Sequence, residues 1–155
     1  MTEAPGWAST ASKISSRSVS IAANWNFGII KVGGVYERLD YDTPTGSLKR
    51  NFWGISGTIP MGPGSWYLFY GRANDGKGGA ADGERVAGLA KGSDTSSNQW
   101  EVSYTYPFSK RTQVYAGYVK IDNDSNASYT FNINSYPIGV GGKPGGLVFG
   151  MIHLF

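Results

Sequence analysis

The chain contains no cysteine and a single histidine. The first absence removes disulfide staples and thiolate metal sites. The second rules out a multi-histidine metal site, and no paired carboxylates or nucleophile motif surround His153 to make it part of a catalytic triad. Charged residues make up only 16% of the chain, and no run of 18 or more apolar residues occurs, which excludes a transmembrane helix. Residues 1–16 are small and polar, without a basic stretch leading into an apolar core. A secretory signal is therefore expected either to have been removed or to lie in a longer protein of which this chain is a later part. The net charge of +3 is too mild to argue for nucleic acid. It describes a slightly basic surface or, at its sharpest, a mild preference for anionic solutes.

What the chain has in quantity is glycine and aromatics: 23 glycines, 10 tyrosines, 7 phenylalanines and 5 tryptophans. Glycine and most aromatics are weak helix formers, whereas aromatics suit strands, so the mix predicts many strands joined by turns. Period-two alternation confirms the expectation along the chain. Val19, Ile21, Ala23 and Trp25 alternate with small or polar neighbours. Ile30, Val32, Gly34 and Tyr36 alternate with Lys31, Gly33, Val35 and Glu37, Trp53, Ile55, Gly57 and Ile59 with Phe52, Gly54, Ser56 and Thr58, and Trp66, Leu68 and Tyr70 follow the turn at 60–64. Trp100, Val102, Tyr104 and Tyr106 form the cleanest alternation, and Leu147, Phe149, Met151, His153 and Phe155 carry it to the last residue. Residues 112–121 form a further strand whose facing is ambiguous, since Val114/Ala116/Tyr118 and Tyr115/Gly117/Val119 are both plausible apolar sets. Seven strands are expected.

Their connections are expected to alternate in length. Short links fall at 26–28, 60–64 and 107–111, and long polar ones at 41–48, 73–97 and 122–145. A soluble sandwich has no reason to sort loops this way, whereas a barrel in the outer membrane has short periplasmic turns and longer extracellular loops. With the short turns at the periplasm, Trp25, Trp66, Tyr106 and Phe155 fall at one end of their strands, and Tyr36, Trp53, Tyr70 and Trp100 at the other. Both membrane–water interfaces favour such amphipathic rings. The stretch 147–155 is about 26 Å long at roughly 3.3 Å per residue. Tilted by about 40°, it spans roughly 20 Å of the membrane normal, close to the height of a barrel's apolar band. Lipid offers no partner to a free strand edge, and single-chain bacterial barrels have even strand numbers, so seven strands cannot close alone. An eighth strand from 129–133 would allow a small closed barrel but would spoil the short/long alternation. An incomplete barrel is the favoured expectation.

Three stretches carry a family resemblance. Tyr106-Pro107-Phe108-Ser109-Lys110-Arg111-Thr112, followed by Val114-Tyr115-Ala116-Gly117-Tyr118, resembles the last periplasmic turn and following strand of the trimeric general porins of β-proteobacteria. Phe149-Gly150-Met151-Ile152-His153-Leu154-Phe155 resembles their closing strand, whose final Phe is the signal read by the barrel-assembly machinery. Residues 28–37 resemble an internal strand. The resemblance covers Arg17 to Phe155 and implies an all-β, antiparallel transmembrane barrel of sixteen strands, trimeric, in the Gram-negative outer membrane. This chain would supply the last seven strands, with residues 1–16 as an extracellular-loop-like start. Signal peptide and constricting loop would lie in the missing part. Ile152 and Leu154 depart from the pattern, being apolar on what should be a wet face.

The function so implied is a water-filled channel for passive diffusion of small hydrophilic solutes and ions, with no cofactor, no metal and no catalytic residue. Its partners would be outer-membrane lipid, two further copies, the assembly machinery through Phe155, and the permeating solutes. By parity Lys31, Glu37, Arg50 and Glu101 are expected to line the lumen, with Arg72 near the extracellular rim. Charges in a lumen bias which ions enter. The alternatives are an eight-stranded outer-membrane barrel with adhesive or binding loops, whose interior would be filled by side chains, and a soluble carbohydrate-binding sandwich. An enzyme ranks last. Gly71 to Lys77 fits a phosphate-loop pattern, but Gly78 stands where Ser or Thr is needed and no apolar-periodic helix follows. Asp122, Asp124 and Asn126 begin a calcium-loop spacing that fails at Ala127 and Ile133.

Overall fold

The computed structural model describes residues 15–86, 88–131 and 138–155. Its frame is one antiparallel sheet of seven strands: β1 (Ser16–Asn26), β2 (Lys31–Thr43), β3 (Gly46–Met61), β4 (Gly64–Ala73), β7 (Ser97–Pro107), β8 (Thr112–Asn123) and β9 (Gly145–His153). A two-residue hairpin, β5 (Arg85–Val86) and β6 (Leu89–Ala90), stands apart in the connection between β4 and β7. The sheet order is β1-β2-β3-β4-β7-β8-β9, so each strand lies beside its sequence neighbour in the sheet. Among the described residues β1 and β9 each pair on one side only, leaving the sheet open. The expected loop-like start falls almost wholly on residues outside those described. Ser16 at its end already opens β1, and the Ser15 carbonyl accepts from Asp42 N–H at 2.9 Å.

Directly opposed residues in antiparallel strands share a face, so the register sorts the side chains. Trp25 pairs with Val32, Tyr36 with Trp53, Ile55 with Tyr70, Leu68 with Val102, and Tyr104 with Ala116. Val114 pairs with Met151 and Ala116 with Phe149. This resolves the facing of β8: Val114, Ala116 and Tyr118 join the apolar face, and Tyr115, Gly117 and Val119 the other. The apolar face is open to the surroundings, with Ile21, Leu147, Phe149 and Met151 each at least 66% exposed. Nothing covers it.

At one end the strands turn tightly. Gly62 (φ +62°) links β3 to β4, the side chain of Asn26 accepts from Gly28 N–H across the β1–β2 turn, and Ser109 closes the β7–β8 turn on Thr112. At the other end residues 74–96 and 124–144 are long, as expected. The stretch 41–48 departs from expectation: it is a hairpin, with Thr43 paired to Gly46 and the Thr43 hydroxyl donating to the Gly46 carbonyl at 2.9 Å. β3 has 16 residues, about 50 Å at roughly 3.3 Å per step, well beyond a barrel's apolar band. Its outer part is held by the β4–β7 connection. Residues 74–80 run beside 47–51, and Leu48, Ala80 and Leu89 form a buried cluster packed by Tyr41 and Val86. That cluster is a small core at the long-loop end; the sheet between the ends has none. Residues 129–131 belong to no strand, and the rest of the eighth-strand segment 129–133 lies outside the described residues.

Candidate pore wall

The face opposite the apolar one carries Ser18, Ser20 and Asn24 on β1 and Lys31 and Glu37 on β2. It continues through Arg50, Ser56 and Thr58 on β3, Gln99, Glu101, Ser103 and Thr105 on β7, and Gln113 on β8. Four of the five residues expected at a lumen share it. Lys31 is exposed near the short-turn end, opposite Asn26 and Thr58. Glu37 accepts from the Ser18 hydroxyl at 3.1 Å, and Glu101 from the Ser103 hydroxyl at 3.1 Å. The Arg50 guanidinium lies 5.1 Å from the centre of the Tyr129 ring, a cation–π stack that brings the β8–β9 connection over this face. Beneath Tyr129 is a cavity of about 190 Å³ lined by Arg50, Phe52, Gln99 and Ile121 among others. No ion pair joins the four charged residues among themselves. Two cations and two carboxylates leave the strand wall formally neutral.

Arg72 falls on the other face. It pairs with Trp53 on one side and Asn98 on the other, so it shares the apolar parity, beyond Tyr70 toward the long loops. Its guanidinium donates to Asn98 Oδ1 at 3.1 Å and Ser96 Oγ at 3.2 Å, while the Tyr70 hydroxyl donates to the same Asn98 oxygen at 2.9 Å. The parity of Tyr70, Gly71 and Arg72 was signal enough to place it.

The wet face also holds apolar groups. Phe69 and Phe52 lie against glycines: a Cβ on Gly54 would meet the Phe69 ring at 2.9 Å, and one on Gly71 would meet both rings at 2.9 Å. Tyr115 covers Gly150 in the same way. The rings therefore lie along the wall. Ile152, opposite Gln113 on this face, is half exposed.

Seven of the eight aromatics expected at two interfaces share the apolar face by register. Trp25, Trp66 and Tyr106 are on the apolar face near the short turns, joined by Tyr104, whose ring lies 5.0 Å from that of Trp66. Tyr36, Trp53, Tyr70 and Trp100 share that face toward the long loops. Trp53 and Tyr70 lie 5.7 Å apart, and Trp100 stacks at 5.4 Å on Tyr118. Phe155 is past the end of β9 and fully exposed, its ring edge-on to His153 at 5.0 Å. Between the two rows the apolar face presents Ile21, Ala23, Gly34, Ile55, Gly57, Leu68, Val102, Ala116, Leu147 and Phe149, without one Asp, Glu, Lys or Arg.

Sequence reasoning missed what braces each long connection and joins the two. Asn123, buried, accepts from Tyr129 N–H at 3.1 Å and donates to the carbonyls of Tyr129 and Gly142 at 2.9 and 2.7 Å. The Thr95 hydroxyl accepts from Gly76 N–H and donates to the Gly92 carbonyl, and Asp75 accepts from Thr95 N–H. Arg85 reaches Ser128 at 3.0 Å and the Asn126 carbonyl at 3.2 Å. The would-be calcium ligands are occupied here: Asp122 pairs with Lys120 at 3.0 Å, Asp124 takes the Ser96 hydroxyl, and Asn126 donates to the Ser93 carbonyl. Among the described residues no cluster of His, Cys, Asp and Glu suits a metal ion. In the β4–β7 connection, Lys91 at 2.6 Å holds the Asp82 carboxyl below the ordinary carboxylate range by hydrogen bond and charge.

The fold is similar to the anion-selective porin from Comamonas acidovorans, with a TM-score of 0.74 at 20% identity. The match covers 92% of this chain and 40% of that one, so the chain spans less than half the length of that porin. No curated protein matches the chain by sequence. The family model of the Gram-negative porins matches residues 4–126, stopping before β9. With that match over most of its length, the chain belongs to the Gram-negative porin family, a family of the outer membrane.

Proposed function

We propose that the seven strands are a section of barrel wall in a porin that lets small hydrophilic solutes and ions diffuse passively across the outer membrane, without chemistry of its own. The observation that carries this reading is the charge-free outward band bounded by two rows of Trp and Tyr. An apolar band between aromatic girdles is what a bilayer demands of a spanning strand, and β2, β3, β4, β7 and β8 are each paired on both sides. The opposite face, lined by Ser, Thr, Gln and four charges, is what a water-filled lumen needs. Trp25, Trp66, Tyr106 and Phe155 would then form the periplasmic girdle, and Tyr36, Trp53, Tyr70 and Trp100 the extracellular one. Lys31, Glu37, Arg50 and Glu101 would line the lumen, where their balanced charge gives this section no bias toward anions. Assembly as a trimer and docking of β9 and Phe155 on the assembly machinery belong to the same reading, supported by family membership.

The test is conductance of the full-length protein in a planar lipid bilayer. Stepwise, ohmic increments are expected. A folded, membrane-inserted protein that leaves the baseline flat would overturn the channel reading and favour a filled barrel that acts through its loops.

A further inference from the structure

Glu101 has an apolar residue on either side. Its cross-strand partners are Phe69 on β4 and Val119 on β8, and all three are half-buried. Along its own strand the same face carries Gln99 and Ser103. The Ser103 hydroxyl donates one hydrogen bond at 3.1 Å, and no Lys or Arg lies within ion-pair reach of Glu101 among the described residues. A half-buried carboxylate beside apolar groups loses hydration that a single hydroxyl does not replace. Phe69 is also one of a pair. Phe52 reaches the same place from β3, and a Cβ on Gly71 would meet both rings at 2.9 Å. Filling the space above a glycine explains a ring there but not its type. Gly64, Gly145 and Gly150 also lie against rings, and all three rings are tyrosines, Tyr104, Tyr118 and Tyr115. Two phenylalanines on the wet face, without a hydroxyl between them, leave an apolar patch beside a carboxylate.

We propose that Glu101, Phe69 and Phe52 form a subsite on the lumen wall for an organic ammonium ion with an apolar body. The carboxylate takes the charge, and the ring faces take the apolar body and attract the cationic head. An inorganic cation keeps its water and gains little from the rings, while Glu101 turns an anion away. Glu37, opposite Phe52, is the lesser seat. Arg50 pairs with Leu39, two residues along from Glu37, and its charge disfavours a second cation at that end. Binding is weak by design, because a permeating solute has to leave as readily as it enters. This rests on the lumen reading proposed above, and it adds a solute class to it.

The test is saturation-transfer NMR of the full-length protein, folded in deuterated detergent micelles and titrated with benzyltrimethylammonium or with neutral benzyl alcohol. The ammonium is expected to bind about tenfold more tightly than the alcohol. Glu101→Gln should weaken it about tenfold and Phe69→Leu about threefold, whereas Phe69→Tyr, which keeps the ring face, should stay within about twofold. Asp42→Asn removes the same charge from an exposed position on the outward parity of the β2–β3 hairpin and should leave binding unchanged. Should Phe69→Leu fail to fold, Glu101→Gln decides, since it changes one oxygen to nitrogen and removes no packing. Equal binding of the two probes, or undiminished binding in Glu101→Gln or in a folded Phe69→Leu, would overturn the proposal. So would displacement of the ammonium by millimolar glucose, which would mark the rings as a platform for sugar. Conductance recorded on the same samples tells a failed subsite from a failed channel: ammonium binding can be lost while the current steps remain, and the reverse.

Discussion

Ile55 and Ser56 are consecutive in β3, yet they lie on opposite faces of the sheet. Ile55 lies opposite Gly34 and Tyr70 in a band without charge and is 52% exposed. Ser56 lies opposite Gly33 and Phe69 on the face that also holds Glu101 and Thr58. In a soluble β-protein the exposed face is the polar one and the apolar face is covered. Here the apolar face is the bare one, and the buried cluster of Leu48, Ala80 and Leu89 lies at the long-loop end. The contrast teaches that exposure in this molecule does not mean exposure to water. Apolar side chains that would be an aggregation liability in buffer become the contact with lipid.

The two faces should therefore respond oppositely to the same substitution. Ile55→Arg is expected to cost about 2–4 kcal/mol, the depth-dependent cost of a cation on a barrel's lipid face. Ser56→Arg should cost under about 1 kcal/mol, because its head reaches water. Urea unfolding of the full-length protein in lipid vesicles reads both, and equal costs would break the comparison. Glycine gives a second contrast. On the inner face Gly71→Val would push into the rings of Phe52 and Phe69 and cost about 1–3 kcal/mol as overpacking. On the outer face Gly57→Val meets only the Ile30 side chain, at an ordinary 3.7 Å, and should stay within about 0.5 kcal/mol. Between these two lies Trp53→Ala, which removes the ring packed 5.7 Å from Tyr70 and should cost about 1 kcal/mol. Glu101→Gln should likewise stay within about 0.5 kcal/mol. It should instead shift the zero-current potential in a salt gradient toward anion preference, since one negative charge leaves a balanced wall. An unchanged potential would take Glu101 out of the lumen.

The sheet was legible in the sequence because each spanning strand carries its facing locally, as in Trp100, Val102, Tyr104 and Tyr106. Arg72 was also legible: two residues beyond outward Tyr70, it must face outward, although charge alone suggested a lumen. β8 was not, because Val114/Ala116/Tyr118 and Tyr115/Gly117/Val119 are equally apolar, and only pairing with Tyr104, Tyr106 and Phe149 decides between them. The hairpin at 41–48 was hidden for a different reason. Past the membrane the alternation loses its meaning, and Asp42, Thr43, Pro44 and Thr45 read as loop, while Tyr41 and Leu48 are buried by Ala80 and Leu89 from far along the chain. The polar joins of Asn123, Thr95 and Arg85 leave no periodic trace at all. Their partners are set by tertiary contact.

Accessibility along β7 tests the two-solvent sheet most directly. The chain has no cysteine, so single cysteines at each position from Trp100 to Tyr106 can carry a spin label in the full-length protein in a bilayer. Collision with oxygen, which concentrates in lipid, and with a water-soluble nickel chelate is then measured. Strict alternation is predicted: oxygen should reach 100, 102, 104 and 106 best, and nickel 101, 103 and 105. High nickel access at 102 and 104, or no alternation, would contradict a wall with lipid on one side and water on the other.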